Sequence, residues 1–195
     1  DKIFGKWEKL LNAEQSHSGT PYLDGMWSYV IGSAYAGTDQ VPRAEDELEN
    51  IRRQAKEDTV DSTGVNPTPA SHILNLAGFA LEGEIKEALG DLDGAIEAYR
   101  QAVQLQDNNN YTEPPDWSQS MRLYLGAALL DADRAADAET VFRQDLEWNQ
   151  QNGWATYGLY QALQAQGKTA EADIVNRQFQ SLWRNADVVL ERPRL

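Results

Sequence analysis

Small apolar residues recur along this chain at a fixed interval. Ala138 (RAADAETVF) and Ala172 (GKTAEADIV) stand 34 positions apart, and Leu10 and Ala44 share that interval. Ala44 to Ala95 spans 51 positions and Ala95 to Ala138 spans 43, surpluses of 17 and 9 over the same period. The surpluses fall where Gly, Pro, Asn and Asp cluster, at 58–69 and 106–115. Such clusters make turns, through fixed or positive φ and side-chain-to-backbone bonds. No segment alternates apolar and polar residues with period two, so the pattern predicts helices and no sheet. A period near 34 with small residues at the contacts predicts an array of helical hairpins.

First helices are expected near 21–37, 69–89, 117–132 and 153–166, and second helices near 6–15, 42–57, 92–106, 134–149 and 169–183. Thr20-Pro21 and Thr68-Pro69 each set a hydroxyl before a proline at the first helical position. Asp116 with Gln119 reads as a capping box. Asp133 and Thr169 read as caps of the last two second helices, and Asn152-Gly153 as a helix end closed by a left-handed glycine. A short helix at 184–190 is expected to cover the last hairpin. The expected units are a partial one at 1–15, repeats at 21–57, 69–106, 117–149 and 153–183, and a cap at 184–195, all in one domain.

The last two units, LGAALLDADRAADAETVFRQDL and LYQALQAQGKTAEADIVNRQF, resemble tetratricopeptide repeats. Leu125 and Gly126 match the contact of the first arm, and Ala138 and Phe142 match the place where the second arm packs back. Gly83, Ala95, Tyr99 and Ala102 fit the second unit, and Gly32 and Ala44 the first. Tyr160 replaces the usual Gly, Asn176 replaces the usual aromatic, and Asp107 and Gln150 stand where a unit usually closes on Pro. The run Tyr111-Thr-Glu-Pro-Pro-Asp-Trp117, followed by Arg122, residues 125–130 and Asn152-Gly-Trp154, is similar to the C-terminal part of large bacterial tetratricopeptide-repeat proteins. That group has no established biochemical role. The resemblance implies an all-α, right-handed α-solenoid of about four repeats, with a partial N-terminal unit and a C-terminal capping helix. It also implies a fragment of a longer array, with Phe4-Gly-Lys-Trp7 as part of a half unit.

Composition narrows the partners. The net charge of −14 repels nucleic acid and anionic lipid, so a basic or neutral polypeptide is the expected partner. The longest apolar run, 123–130, is too short to cross a bilayer. There are 24 alanines, which suit close helix packing. The absence of cysteine excludes disulfides, thiol nucleophiles and thiolate metal sites, and leaves cytoplasm and periplasm equally open.

In such arrays the first helix of each hairpin lines a concave groove. The resemblance therefore implies outward-turned groove positions at Met26, Tyr29 and Ser33, at Glu84 and Glu87, at Leu123 and Asp131, and at Trp154, Tyr157, Gln161 and Gln164. Aromatic anchors suit an extended peptide, and carboxylates suit its Lys or Arg. The competing reading packs Tyr29, Trp154 and Tyr157 between hairpins. The loop motif Glu113, Pro114, Pro115, Asp116 and Trp117 reads as a shaped connector pinned through Arg122, or else as a lip over a ligand. The 58–69 loop reads as polar and mobile.

Catalytic signals are thin. His17 and His72 are 55 positions apart with no second ligand at helical spacing, so no metal site is expected. Glu82, Glu84, Glu87 and Glu97 read as solvated helix faces. There is no phosphate-binding Gly-rich loop and no Gly-x-Ser-x-Gly elbow. The expectation is a non-enzymatic interaction scaffold without a cofactor. The alternatives are an assembly module that forms homo-oligomers, and a small-ligand or enzyme accessory domain whose pocket is built by the 58–69 and 106–116 loops.

Overall fold

A computed structural model describes residues 2, 5–14, 19–63 and 67–194. His17 and Phe4 lie outside the described residues. The described chain holds helices and no strand. It divides into two compact units, Asp1–Gln119 and Ser120–Leu195.

In the first unit a short α1 (Trp7–Leu11) precedes two hairpins, α2 (Pro21–Ala36) with α3 (Val41–Gln54), and α4 (Ala70–Ala88) with α5 (Leu92–Asp107). In the second unit the hairpins are α6 (Met121–Asp131) with α7 (Ala135–Trp148), and α8 (Gly153–Ala165) with α9 (Thr169–Trp183). Within each unit the second helix of one hairpin packs on the first helix of the next, α3 on α4 and α7 on α8.

The ruler alanines Ala44, Ala95, Ala138 and Ala172 are all buried. Opposite them, large side chains fill the space left by glycines. A Cβ at Gly83 would lie 2.2 Å from the Tyr99 ring. Phe142 serves two glycines: a Cβ at Gly126 would lie 2.4 Å from its Cζ, and one at Gly158 would lie 2.3 Å from it.

All four hairpins close alike. Asp39, Gly90, Asp133 and Gly167 take φ of 57°, 76°, 57° and 71°. The residue after each donates its N–H five positions back: Gln40 to Tyr35 O (2.8 Å), Asp91 to Lys86 O (2.9 Å), Arg134 to Leu129 O (2.8 Å) and Lys168 to Leu163 O (3.0 Å). This is the Schellman closure, which satisfies carbonyls at the helix end.

Several expected caps are placed differently. Asp133 is a left-handed turn residue, with Arg134 at the N-cap of α7, and Thr169 lies inside α9, whose N-cap is Lys168. Asn152-Gly153 starts a helix instead of ending one: the Asn152 side chain accepts from Trp154 N at 3.0 Å, and the positive φ belongs to Gln151. The third first helix begins at Met121, not 117, because Ser120 caps it by accepting from Arg122 N at 3.2 Å. Pro69, not Thr68, holds the N-cap of α4, and Asp61 takes over the capping by accepting from Ser71 N at 2.8 Å. Asp61 belongs to a 3-10 turn at Val60–Thr63 in which Val60 is buried, so this part of the 58–69 loop is built into the fold.

The expected helix at 184–190 is absent, and the segment runs without regular structure. Trp183 Nε1 donates to Val188 O at 2.6 Å, and Leu190 is buried. A tail pinned by its own backbone to a side chain gains nothing from coiling.

Glu139 ties α7 to the last hairpin. It accepts from Lys168 Nζ at 2.6 Å, Gln166 Nε2 at 2.7 Å and Arg143 Nε at 2.9 Å. The Lys168 bond foremost, against the cost of burial and with help from Gln166 and Arg143, lowers its pKa from 4.5 to about 2. A lowered carboxylate pKa adds stability that is complete above 4.5 and is lost as pH falls toward about 2. Solvent screening limits the contribution to on the order of 1 kcal/mol. Glu139→Gln is expected to lower the urea midpoint at neutral pH and to flatten its decline in acid. An equally steep acid limb would show that the pairing adds no stability.

Candidate functional site

The first unit contains a half-open cleft of about 360 Å³. One wall is α2, which presents Met26, Tyr29 and Val30, with Leu10 of α1 beside them. The other wall is the loop segment Pro115, Asp116, Trp117, Ser118 and Gln119, and Lys2 completes the lining. From sequence, Met26 and Tyr29 are groove positions and the loop is a separate motif. The structure puts them on one site.

The loop is held by defined bonds. Asn110 Nδ2 donates to Pro67 O at 2.8 Å, and Asn110 N to Thr68 Oγ1 at 3.1 Å. Gln106 Nε2 donates to Gln119 O at 3.0 Å, and Asp116 N to Thr112 Oγ1 at 3.1 Å. The Glu113-Pro114 peptide is cis, and Glu113 accepts from the Tyr111 hydroxyl. Between two prolines and these anchors the backbone has no helical option. Trp117 is thereby delivered onto Tyr29, with ring centroids 5.1 Å apart and planes at 44°.

Electrostatics separate the floor from the rim. Lys2 Nζ lies 2.7 Å from Glu84 Oε1 and 4.7 Å from the centre of the Tyr29 ring. Glu84 is buried, so its charge is already matched and does not recruit a ligand's Lys or Arg. Glu87 accepts from the Tyr99 hydroxyl at 2.9 Å. Asp116 brings a carboxylate to the loop wall, and burial and then this group raise the pKa of Tyr22.

Other predicted groove positions are not turned outward. Tyr29, Ser33, Glu84 and Leu123 are buried, and Ser33 Oγ donates to Tyr29 O at 2.9 Å. In the second unit Trp154 meets Trp183 edge-on at 5.3 Å, and Tyr157 packs on Phe179 at 5.0 Å. Burial first, then Tyr160 and Glu191, raise the Tyr157 pKa. These two aromatics join α8 to α9, the packing alternative. Asp131 and Gln161 bind the chain's own tail, through Arg192 and Glu191 O. Gln164 is exposed. Arg122 lies beside the buried Asp145.

His72 Nε2 donates to Leu105 O at 2.9 Å, a contact between α4 and α5. Among the described residues no three His, Cys, Asp or Glu side chains converge to hold a metal. No described helix is long and apolar enough to cross a membrane. Sequence reasoning missed Lys2, Leu10 and Val30 in the cleft. Leu10 was visible as a ruler position, but nothing local signals that Lys2 reaches Glu84, 82 positions away.

No family model and no curated protein matches this chain. Solved structures do match, two of them forms of one protein. One is a Podosopora anserina protein described as a putative kinesin light chain with nearly identical TPR-like repeats. It is 18% identical at a TM-score of 0.59, over 93% of this chain and 83% of that one. A single-substitution form of that protein is 21% identical at a TM-score of 0.59, over 82% of this chain and 74% of that one. The likeness establishes an all-α fold of TPR-like helical repeats.

Proposed function

We propose that the chain is a non-enzymatic protein-interaction scaffold, and that the cleft between α2 and the 115–119 segment takes an apolar anchor residue of an extended partner segment. The observation that carries this reading is the cleft itself. At about 360 Å³ it suits one or two large side chains. Met26, Val30, Leu10 and Pro115 offer apolar contact, and Ser118 and Gln119 offer hydrogen bonds at the edge. The Tyr29–Trp117 pair and the Lys2–Glu84 pair are built into its wall and floor before any ligand arrives, which lowers the ordering cost of binding. Helical-repeat folds generally serve as surfaces for other proteins, which agrees.

The test is peptide selection from a random display library on the whole protein. Enriched peptides should share one apolar or aromatic residue. Their binding should fall at least tenfold in Met26→Lys, which sets a charge in the apolar wall, while the helical circular dichroism is unchanged. Peptides without a shared anchor, or equal binding by Met26→Lys, would refute the cleft as the site.

A second reading, self-association, is favoured by the exposed Trp148, Ile174 and Leu182 on α7 and α9. Sedimentation over a hundredfold dilution decides it, since a monomer at every concentration excludes it.

A further inference from the structure

We propose that residues 188–194 are a displaceable ligand in cis, and that the face of α6 and α8 beneath them binds, in trans, an extended peptide carrying two arginines around a proline. The segment Leu190-Glu191-Arg192-Pro193-Arg194 runs without helix or strand. Its contacts fall on the first helices of both hairpins of the second unit. Arg192 pairs with Asp131 at the end of α6, and the Arg194 guanidinium lies 4.9 Å from the centre of the Tyr124 ring, two turns back along that helix. Gln161 Nε2 of α8 donates to Glu191 O at 3.1 Å. The segment therefore runs antiparallel to α6.

This is the pattern of a bound peptide. Leu190 and Pro193 are buried while Val189, between Leu190 and the anchor at Val188, is 84% exposed. A backbone carbonyl is read by an amide, one arginine by a carboxylate, and the other by an aromatic face. The receptor side supplies what a basic peptide needs, on a chain whose net charge is −14.

The charged anchor is exposed, which favours displacement. Arg192 and Asp131 retain 47% and 42% of their side-chain exposure, so the pair contributes little on its own. The tail's advantage is its short tether after Trp183, which holds it near the face at an effective concentration of order millimolar. A free peptide of the same chemistry must outcompete that concentration, and anything that draws the tail away uncovers the face. This inference does not rest on the cleft of the first unit, since no cleft residue takes part.

The experiment uses a fluorescein-labelled peptide spanning residues 187–194 and the whole protein, read by anisotropy. Arg192→Ser with Arg194→Ser removes the two arginine anchors of the tail and leaves the helices untouched. This double variant should bind the peptide at least tenfold more tightly than the wild type. Adding Asp131→Asn should remove most of the gain, and adding Met26→Lys should not. In the wild type, backbone relaxation should show residues 188–194 as ordered as the helices. Equal or undetectable binding by wild type and double variant would overturn the proposal. So would a tail that moves freely in the wild type, or binding that Met26→Lys abolishes.

Discussion

Phe142→Ala is expected to cost about 3–5 kcal/mol, because it removes a fully buried ring and leaves a cavity that cannot close. The ring lies against two glycines on two different helices, Gly126 of α6 and Gly158 of α8. Neither has a side chain to move into the space. Urea unfolding of the whole chain should show the loss, and hydrogen exchange should place it first in α6, α7 and α8. A cost below about 1 kcal/mol would mean that the helices slide together and the ring is no clamp. The converse change is diagnostic. Gly126→Ala puts a methyl 2.4 Å from Cζ of the ring, so it should destabilise by about 1–3 kcal/mol. Phe142→Leu should then recover part of that loss, since the smaller side chain gives room. Two independent losses would exclude direct contact.

The second large loss is expected for Asp145→Ala, about 2–4 kcal/mol. Asp145 is fully buried on α7. It accepts from Asn149 Nδ2 at 3.0 Å and from Asn152 Nδ2 at 3.1 Å, and it is hydrogen-bonded to Ser120. Ser120 and Asn152 are the N-caps of α6 and α8, so one carboxylate orients the starts of both first helices. Alanine would take that partner from the half-buried Ser120 and Asn152 and leave a cavity where the buried carboxylate stood. The charge has its own cost. Burial raises the Asp145 pKa, and the bonds from Ser120, Asn149 and Asn152 and the nearby Arg122 only partly offset it. A raised pKa means that its contribution is complete below the unfolded value and is lost as pH rises through the folded one. The penalty for Asp145→Ala should therefore grow as pH falls from neutrality through the raised folded pKa. Glu139 has the opposite sign, and its contribution weakens in acid. A penalty for Asp145→Ala that shrinks over that range would show that the folded protein holds the carboxylate more firmly charged than burial allows.

The hairpins were legible because their signal is periodic and redundant. Ala44, Ala95, Ala138 and Ala172 each mark a close contact, and every expected first and second helix is present. The ends were less legible. Asp is both a good N-cap and a residue that tolerates positive φ, so Asp133 alone could not show which role it plays. Asn152 carries the same ambiguity before glycine. The tail was not legible because 184–190 offers no stop signal, and its conformation depends on Trp183 Nε1 and on Asp131, 61 positions away from Arg192. For the site, Met26 and Tyr29 both lie on α2, but Tyr29 is buried where the frame turned it outward. A position that faces a groove in a regular array is covered here by Trp117, and no local rule ties residue 117 to residue 29. The pairing of Glu84 was hidden for a similar reason, because Lys2 lies far from it in sequence.

The uniform closure of the four turns has a consequence for length. Asp39, Gly90, Asp133 and Gly167 each precede their ruler alanine by five positions, and each turn ends on the same backbone bond. All surplus residues lie between hairpins, at 58–69 and 106–115. The hairpin is thus the part that cannot be lengthened, and the joint between hairpins is the part that can. New sequence can enter this chain only at its joints, and one of them already carries the wall of a cleft.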